Sequence, residues 1–191
     1  MYQSVLRYAR EAGIDDPIVC YQGAVVADPQ TGEFLRHVPL PLEVAREAIA
    51  AVEADGFPLN VYLDDELYVA SETPESDAYA NFQQLVVHPV GDLLTWLDRP
   101  PTKLVCVGDP AALDELEIRL KRHFGGRLYI SKSLPHFLEF AHPEVTKGSG
   151  LEFVAGRLGF TREQTVAFGD GENDVELLEW AGYGVAVENA H

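Results

Sequence analysis

Basic residues are scarce in this chain of 191 residues: 14 lysines and arginines stand against 31 aspartates and glutamates, a formal net charge of −17. A surface of that sign excludes nucleic acid and anionic membrane as partners, because both require a positive face. Cysteine is nearly absent. Cys20 and Cys106 each sit in a strand-like apolar run, which argues against a disulfide framework and for buried thiols in a reducing compartment. No apolar run approaches the ~20 residues of a membrane-spanning helix. The opening stretch MYQSVLRYAREAG is amphipathic rather than a basic segment followed by an apolar one, so a cytoplasmic location is expected. Internal repeats and low-complexity stretches are lacking. The histidines (His37, His88, His123, His136, His142 and His191) form no i, i+4 pair and none stands beside a cysteine, so zinc is not expected and surface or capping roles are. Asp64-Asp65-Glu66 lacks the spacing of a calcium loop and reads as a solvated turn. Ser131 and Ser133 lack the G-x-S-x-G elbow of an α/β-hydrolase.

What is present is a globular composition, 47% apolar and 24% charged, in a chain long enough for one or two domains. Periodicity predicts a helix over 3–12, then short strands at 18–21, 24–27 and 33–38 joined by turns at Gln22-Gly23 and Asp28–Gly32. Pro41 opens a helix over 42–54 that Asp55-Gly56 closes. Strands are expected at 59–63 and 66–69, a polar loop at 72–77, and a helix over 90–97. A strand at 104–107, a helix at 111–124 and strands at 127–131 and 137–141 follow. The last part reads helix (148–158), strand (165–168), helix (174–180) and strand (184–187). The ends of the chain are βα units typical of a parallel, doubly wound sheet. The middle, 36–136, mixes hairpins with helices and reads as an inserted α+β domain.

The chemistry concentrates in Phe168-Gly169-Asp170-Gly171-Glu172-Asn173-Asp174, which follows an apolar strand and precedes a helix. Open α/β sheets build their sites at that end of a strand. Hard oxygen ligands in a tight glycine-containing turn suit Mg²⁺. Asp170 is the candidate direct or water-bridged metal ligand. Asn173 can donate to a phosphate oxygen, and Asp174 can hold the metal's waters or orient a lysine. The plainer reading is an Asp-Gly turn with an Asn or Asp helix cap. The second candidate is Thr146-Lys147-Gly148-Ser149-Gly150, a lysine in the first helical turn, able to meet an anion with its ammonium and free backbone N–H groups. Its order is not that of a P-loop, and an exposed N-terminal lysine is the alternative.

Taken together, these stretches resemble the haloacid dehalogenase superfamily of phosphatases, in its Cof-type branch. Cys20-Tyr21-Gln22-Gly23-Ala24-Val25-Val26 resembles the "C-x-N-G-A-x-I" strand before the cap, and Thr146-Lys147-Gly148 the lysine motif. Phe168–Asp174 resembles the "GDxxND" motif, and 181–190 the "AGxGVAMxNA" segment. The resemblance implies a Rossmann-like parallel-sheet core over 1–35 and 137–191, incomplete here, with an α/β cap over 36–136 that closes over the site. It implies Mg²⁺-dependent hydrolysis of a small phosphorylated metabolite, a sugar phosphate or other phosphomonoester, through an aspartyl-phosphate. Lys147 would neutralise nucleophile and phosphoryl group, and Asp170 would bind Mg²⁺. Asn173 would contact the phosphate, Asp174 would support Lys147 or the metal shell, and Asn189 would lie at the rim.

The sequence departs from that family in two respects. The family's nucleophile lies in a "DxDGTL" segment upstream of what 1–13 resembles, and no D-x-D occurs in this chain. The family's chain also continues past the segment that ends here. The expectation is an enzyme lacking its first βα units and its tail, inactive alone. Its unpaired sheet edge would leave room for self-association. The alternatives are a non-catalytic phosphate-binding or regulatory module, or a phosphomutase of the same branch.

Overall fold

The computed structural model describes Met1–Ala190; His191, read above as a surface residue, lies outside the described residues. The chain is α/β and divides into two compact units, one of 1–38 and 144–191, the other of 39–143.

In the first unit, α1 (Tyr2–Glu11) precedes β1 (Ile18–Cys20), β2 (Val25–Ala27) and β3 (Phe34–His37), which pair antiparallel in that order. Gln22 and Gly23 turn β1 into β2, with φ of 58° and 106°. A glycine is required at 23 for a second reason: a Cβ there would lie 2.0 Å from the Thr146 carbonyl oxygen. The unit resumes after the second one with α6 (Lys147–Leu158), β10 (Val166–Gly169), α7 (Val175–Trp180) and β11 (Tyr183–Ala186). β10 and β11 pair in parallel, joined by a crossover through α7. Parallel pairing in this unit is confined to those two strands among the described residues; the expectation of a parallel sheet at both ends holds only for the late segment. Tight hairpin turns, too short for a crossover, force the early strands antiparallel. Val166 and Phe168 on β10 and Tyr183 on β11 are exposed.

The second unit is built on a six-stranded sheet of order β6-β5-β4-β7-β9-β8. Its members are β4 (Leu59–Leu63), β5 (Glu66–Val69), β6 (Val87–Pro89), β7 (Lys103–Val107), β8 (Tyr129–Leu134) and β9 (Phe137–Ala141). Only β5 and β6 run parallel. Asp64 and Asp65, both at positive φ, make the two-residue turn between β4 and β5, whose handedness suits the strand twist. α2 (Leu42–Ala54) presents Ala45, Ala48, Ile49 and Val52, and α5 (Pro110–Phe124) presents Leu113, Leu116, Leu120 and Phe124; all are buried. These stripes meet Leu59, Val61, Leu104, Cys106, Leu138 and Phe140 on one face of the sheet. α4 (Leu93–Trp96) closes the end of that core through Leu93 and Leu97. Burial pushes the Cys106 thiol up to about 12, and both cysteines are buried and reduced.

Two segments differ from expectation. The polar stretch at 72–77 is no loop: it starts α3 (Pro74–Gln83). Thr73 and Ser76 form a reciprocal capping box there and Pro74 takes the first helical position, so local capping outweighs a weak apolar stripe. Phe137–Ala141, expected with the flanking core, pairs with β7 and β8 and belongs to the second unit. In that sheet Leu138 and Phe140 join the core beneath the helices.

The other face of the sheet is polar in its middle. Tyr62 stands opposite Lys103 in the register, and Lys103 makes a buried ion pair with Glu139 at 3.1 Å. Ser133 donates to the same carboxylate at 2.6 Å. Tyr79 of α3 lies over this face, its hydroxyl 3.0 Å from that of Tyr62 and its ring against Phe137. A core substitution on the helix side, Phe140→Ala, is expected to lower the stability of the chain by about 3–5 kcal/mol in urea unfolding, because Phe140 is wholly buried.

Candidate active site

α6 begins where Thr146 caps it. Thr146 Oγ1 accepts the N–H of Ser149 at 3.1 Å, and Ser149 Oγ closes the reciprocal bond with the Thr146 N–H at 3.1 Å. Arg36 of β3 donates to the Ser149 carbonyl at 2.6 Å, which ties the antiparallel sheet to the first turn of α6. That capped turn sets the direction of Lys147, whose ammonium donates to Asp174 Oδ1. The lysine side chain is about a third exposed and the aspartate nearly buried.

The second oxygen of Asp174 accepts the N–H groups of Asp170 and Gly171 at 3.0 and 3.1 Å. One carboxylate thus holds the lysine with one oxygen and folds the Asp170 loop back on itself with the other. Burial alone would push the Asp174 carboxyl up. The Lys147 ammonium and the two N–H groups outweigh it and hold the carboxyl below the ordinary aspartate value. The loop can close this tightly only because residue 169 is glycine: a Cβ there would sit 2.5 Å from the Asp174 Cβ.

Asn173 is buried, and its amide N–H₂ donates to Gln22 Oε1 at 3.1 Å. Gln22 was read from sequence as a turn residue within the Cys20–Val26 stretch and was given no role in the site. Its left-handed backbone aims the side chain across the unit at Asn173, a role that a turn signal alone does not disclose. Asp170 and Glu172 are exposed. Asn189 is exposed beyond β11, and the chain just before it is tied to the loop by the Val187 N–H on the Gly169 carbonyl at 3.2 Å. The structure therefore brings Lys147, Asp170, Asn173 and Asp174 together and leaves Asn189 two residues beyond that tether.

Among the described residues, no group of three His, Cys, Asp or Glu side chains is arranged to hold a metal ion. The donors that suit Mg²⁺ in the loop are the exposed Asp170 carboxylate and hard amide and backbone oxygens. Asp174 is already engaged through both oxygens.

A family model of haloacid dehalogenase-like hydrolases matches residues 1–191. The chain belongs to this family. It is 30% identical over 199 residues to the 5-amino-6-(5-phospho-D-ribitylamino)uracil phosphatase of Bacillus subtilis, covering 98% of this chain and 71% of that protein. It is 28% identical over 187 residues to the HMP-PP phosphatase of Serratia proteamaculans, covering 94% of this chain and 65% of the relative. A Thermotoga maritima crystal structure superposes with a TM-score of 0.82 at 31% identity, over 100% of this chain and 72% of that one. A haloacid dehalogenase-like hydrolase from Bacteroides thetaiotaomicron superposes at 0.85 with 26% identity, covering 100% and 73%. The chain spans 70, 65 and 64% of the lengths of three curated relatives.

The anchoring of Lys147 by Asp174 is testable by stability. Asp174→Asn removes the charge partner and is expected to cost about 2 kcal/mol near pH 7. The native pKa of Asp174 is depressed, so the stabilisation is present above the unfolded-state value and is lost as pH falls through the native one. Urea unfolding across pH should show the gap between parent and variant closing on the acid side.

Proposed function

We propose that the first unit carries the phosphate-handling half of a Mg²⁺-dependent phosphoester hydrolase acting on a small phosphorylated metabolite, a sugar phosphate or a comparable phosphomonoester. The observation that supports this reading most directly is the Asp174 carboxylate, which fixes a lysine and an acidic loop against each other. The names of two relatives, a phosphatase of a phosphoribitylaminouracil and an HMP-PP phosphatase, point to the same substrate class.

In this reading Lys147 binds a phosphoryl oxygen and neutralises charge as it develops, the main task in phosphoryl transfer. Asp174 is a positioning residue: it holds the ammonium in place and aims it. Asn173, its amide oriented by Gln22, presents its remaining N–H to a phosphate oxygen. Asn189 stands at the rim. Asp170 would hold Mg²⁺ with waters filling the shell, and the ion when bound would spread the negative charge of the phosphate oxygens. Of the two residues expected to ligate the metal, Asp174 fits better as the partner of the lysine.

The same residues serve a second reading, a non-catalytic phosphate-binding module, because the chain has no D-x-D pair to supply an attacking carboxylate. We propose that this chain alone binds phosphate without turnover. With p-nitrophenyl phosphate and Mg²⁺ the expected rate is that of buffer; a rate above buffer that Asp170→Ala abolishes would refute this. Calorimetry should show inorganic phosphate binding in the presence of Mg²⁺, weakened at least about tenfold by Lys147→Met. The exposed Val166, Phe168 and Tyr183 support self-association through β10 and β11. A concentration-independent monomer mass in light scattering would remove that expectation.

A further inference from the structure

The second unit contains a cavity that the phosphate chemistry does not use. It has a volume of about 570 Å³ and lies among the end of α2, the start of β4, the end of β7 and the first turn of α3. That volume falls in the range of small-molecule sites. Its walls are apolar where Phe57, Leu59, Val69 and Val107 line it. Gly108 belongs to the wall because a Cβ there would lie 3.0 Å from the Phe57 ring.

Two features give the cavity a chemical preference. The first is Asn60, which lines it at 3% exposure. Its side-chain amide makes no hydrogen bond among the described residues, while the neighbouring polar side chains Thr73 and Ser76 are spent on the capping box. No polar atom of Asn60 is both sealed from solvent and unpartnered among the described residues, so the amide opens on the cavity and is free to pair with what enters it. The second is charge. Glu53 and Glu75 line the cavity and are exposed, and no lysine, arginine or histidine lines it among the described residues.

We propose that this cavity is a binding site for a small organic cation: an ammonium that meets Glu53 and Glu75, an apolar body against Leu59, Val69 and Val107, and a polar group that pairs with the Asn60 amide. An anion, including any phosphorylated substrate, is excluded by the two carboxylates. Its lining residues all belong to the second unit, whereas Lys147 and the Asp170 loop belong to the first, so the proposal does not rest on the reading of their function.

The test uses the full chain and ε-aminocaproamide, which carries an ammonium, an apolar chain and a carboxamide. It is titrated against caproamide, which lacks the charge, and ε-aminocaproate, which replaces the amide with a carboxylate. The readout is the Asn60 side-chain N–H₂ pair in ¹H–¹⁵N spectra, assigned by its loss in Asn60→Leu. The expected result is a saturable shift of that pair with a Kd on the order of a millimolar, the scale of a ligand this small. The expected order is ε-aminocaproamide tightest, with Glu53→Gln/Glu75→Gln about five-fold weaker, equivalent to about 1 kcal/mol. Both glutamates are exposed, so that variant should fold even if Asn60→Leu does not. A cavity holding only water would show no saturable change, and this would overturn the proposal. So would caproamide or ε-aminocaproate binding as tightly as ε-aminocaproamide, or an affinity unchanged in the double variant.

Discussion

A buried carboxylate with two anionic oxygens needs more than one partner, and Asp174 finds them on different elements. One oxygen takes the ammonium from the first turn of α6, and the other takes two N–H groups from the turn that ends β10. Together they outweigh the desolvation of the charge. The local geometry follows from that requirement. α6 must start at Thr146 for Lys147 to reach, residue 169 must lack a side chain for the loop to fold inward, and Asn173 is then carried beneath it to Gln22.

This arrangement separates two functions that a sequence motif merges. Within Gly169–Asp174 the sequence allowed both Asp170 and Asp174 to serve a metal, yet Asp174 is nearly buried and satisfied while Asp170 stands in solvent with its side chain uncommitted by any hydrogen bond to the loop. The buried acid is suited to orientation and the exposed one to exchange with ions and water. Environment, not residue type, assigns the roles.

Much of this was readable from the chain alone. The apolar stripes of α2 and α5 and the alternation of β4 and β9 are strong signals, and their limits in the structure lie within a residue or two of those expected. The Lys147 and Asp170 stretches stood out through their resemblance to two motifs of one family, and the contact of Lys147 with Asp174 agrees with the expectation that Asp174 supports the lysine. What was not legible depends on contacts far apart in sequence. α3 has almost no apolar stripe and is held by its capping box and by Tyr79 over the sheet. The 137–141 strand carries the same local pattern in either unit, and only its neighbours in space decide its membership. The bond from Gln22 to Asn173 spans most of the chain, and nothing at either position announces it.

The close approach of α6 to α7 at Gly148 has a wider implication. A Cβ at that position would lie 2.4 Å from the Glu176 carbonyl oxygen, so the two helices touch through bare backbone. The reach of the neighbouring lysine to its carboxylate is therefore set by main-chain contact rather than by the lengths of adjustable side chains. Natural variation can retune the surroundings of such a charge pair freely, but it can alter the spacing of the pair itself only by moving a whole helix.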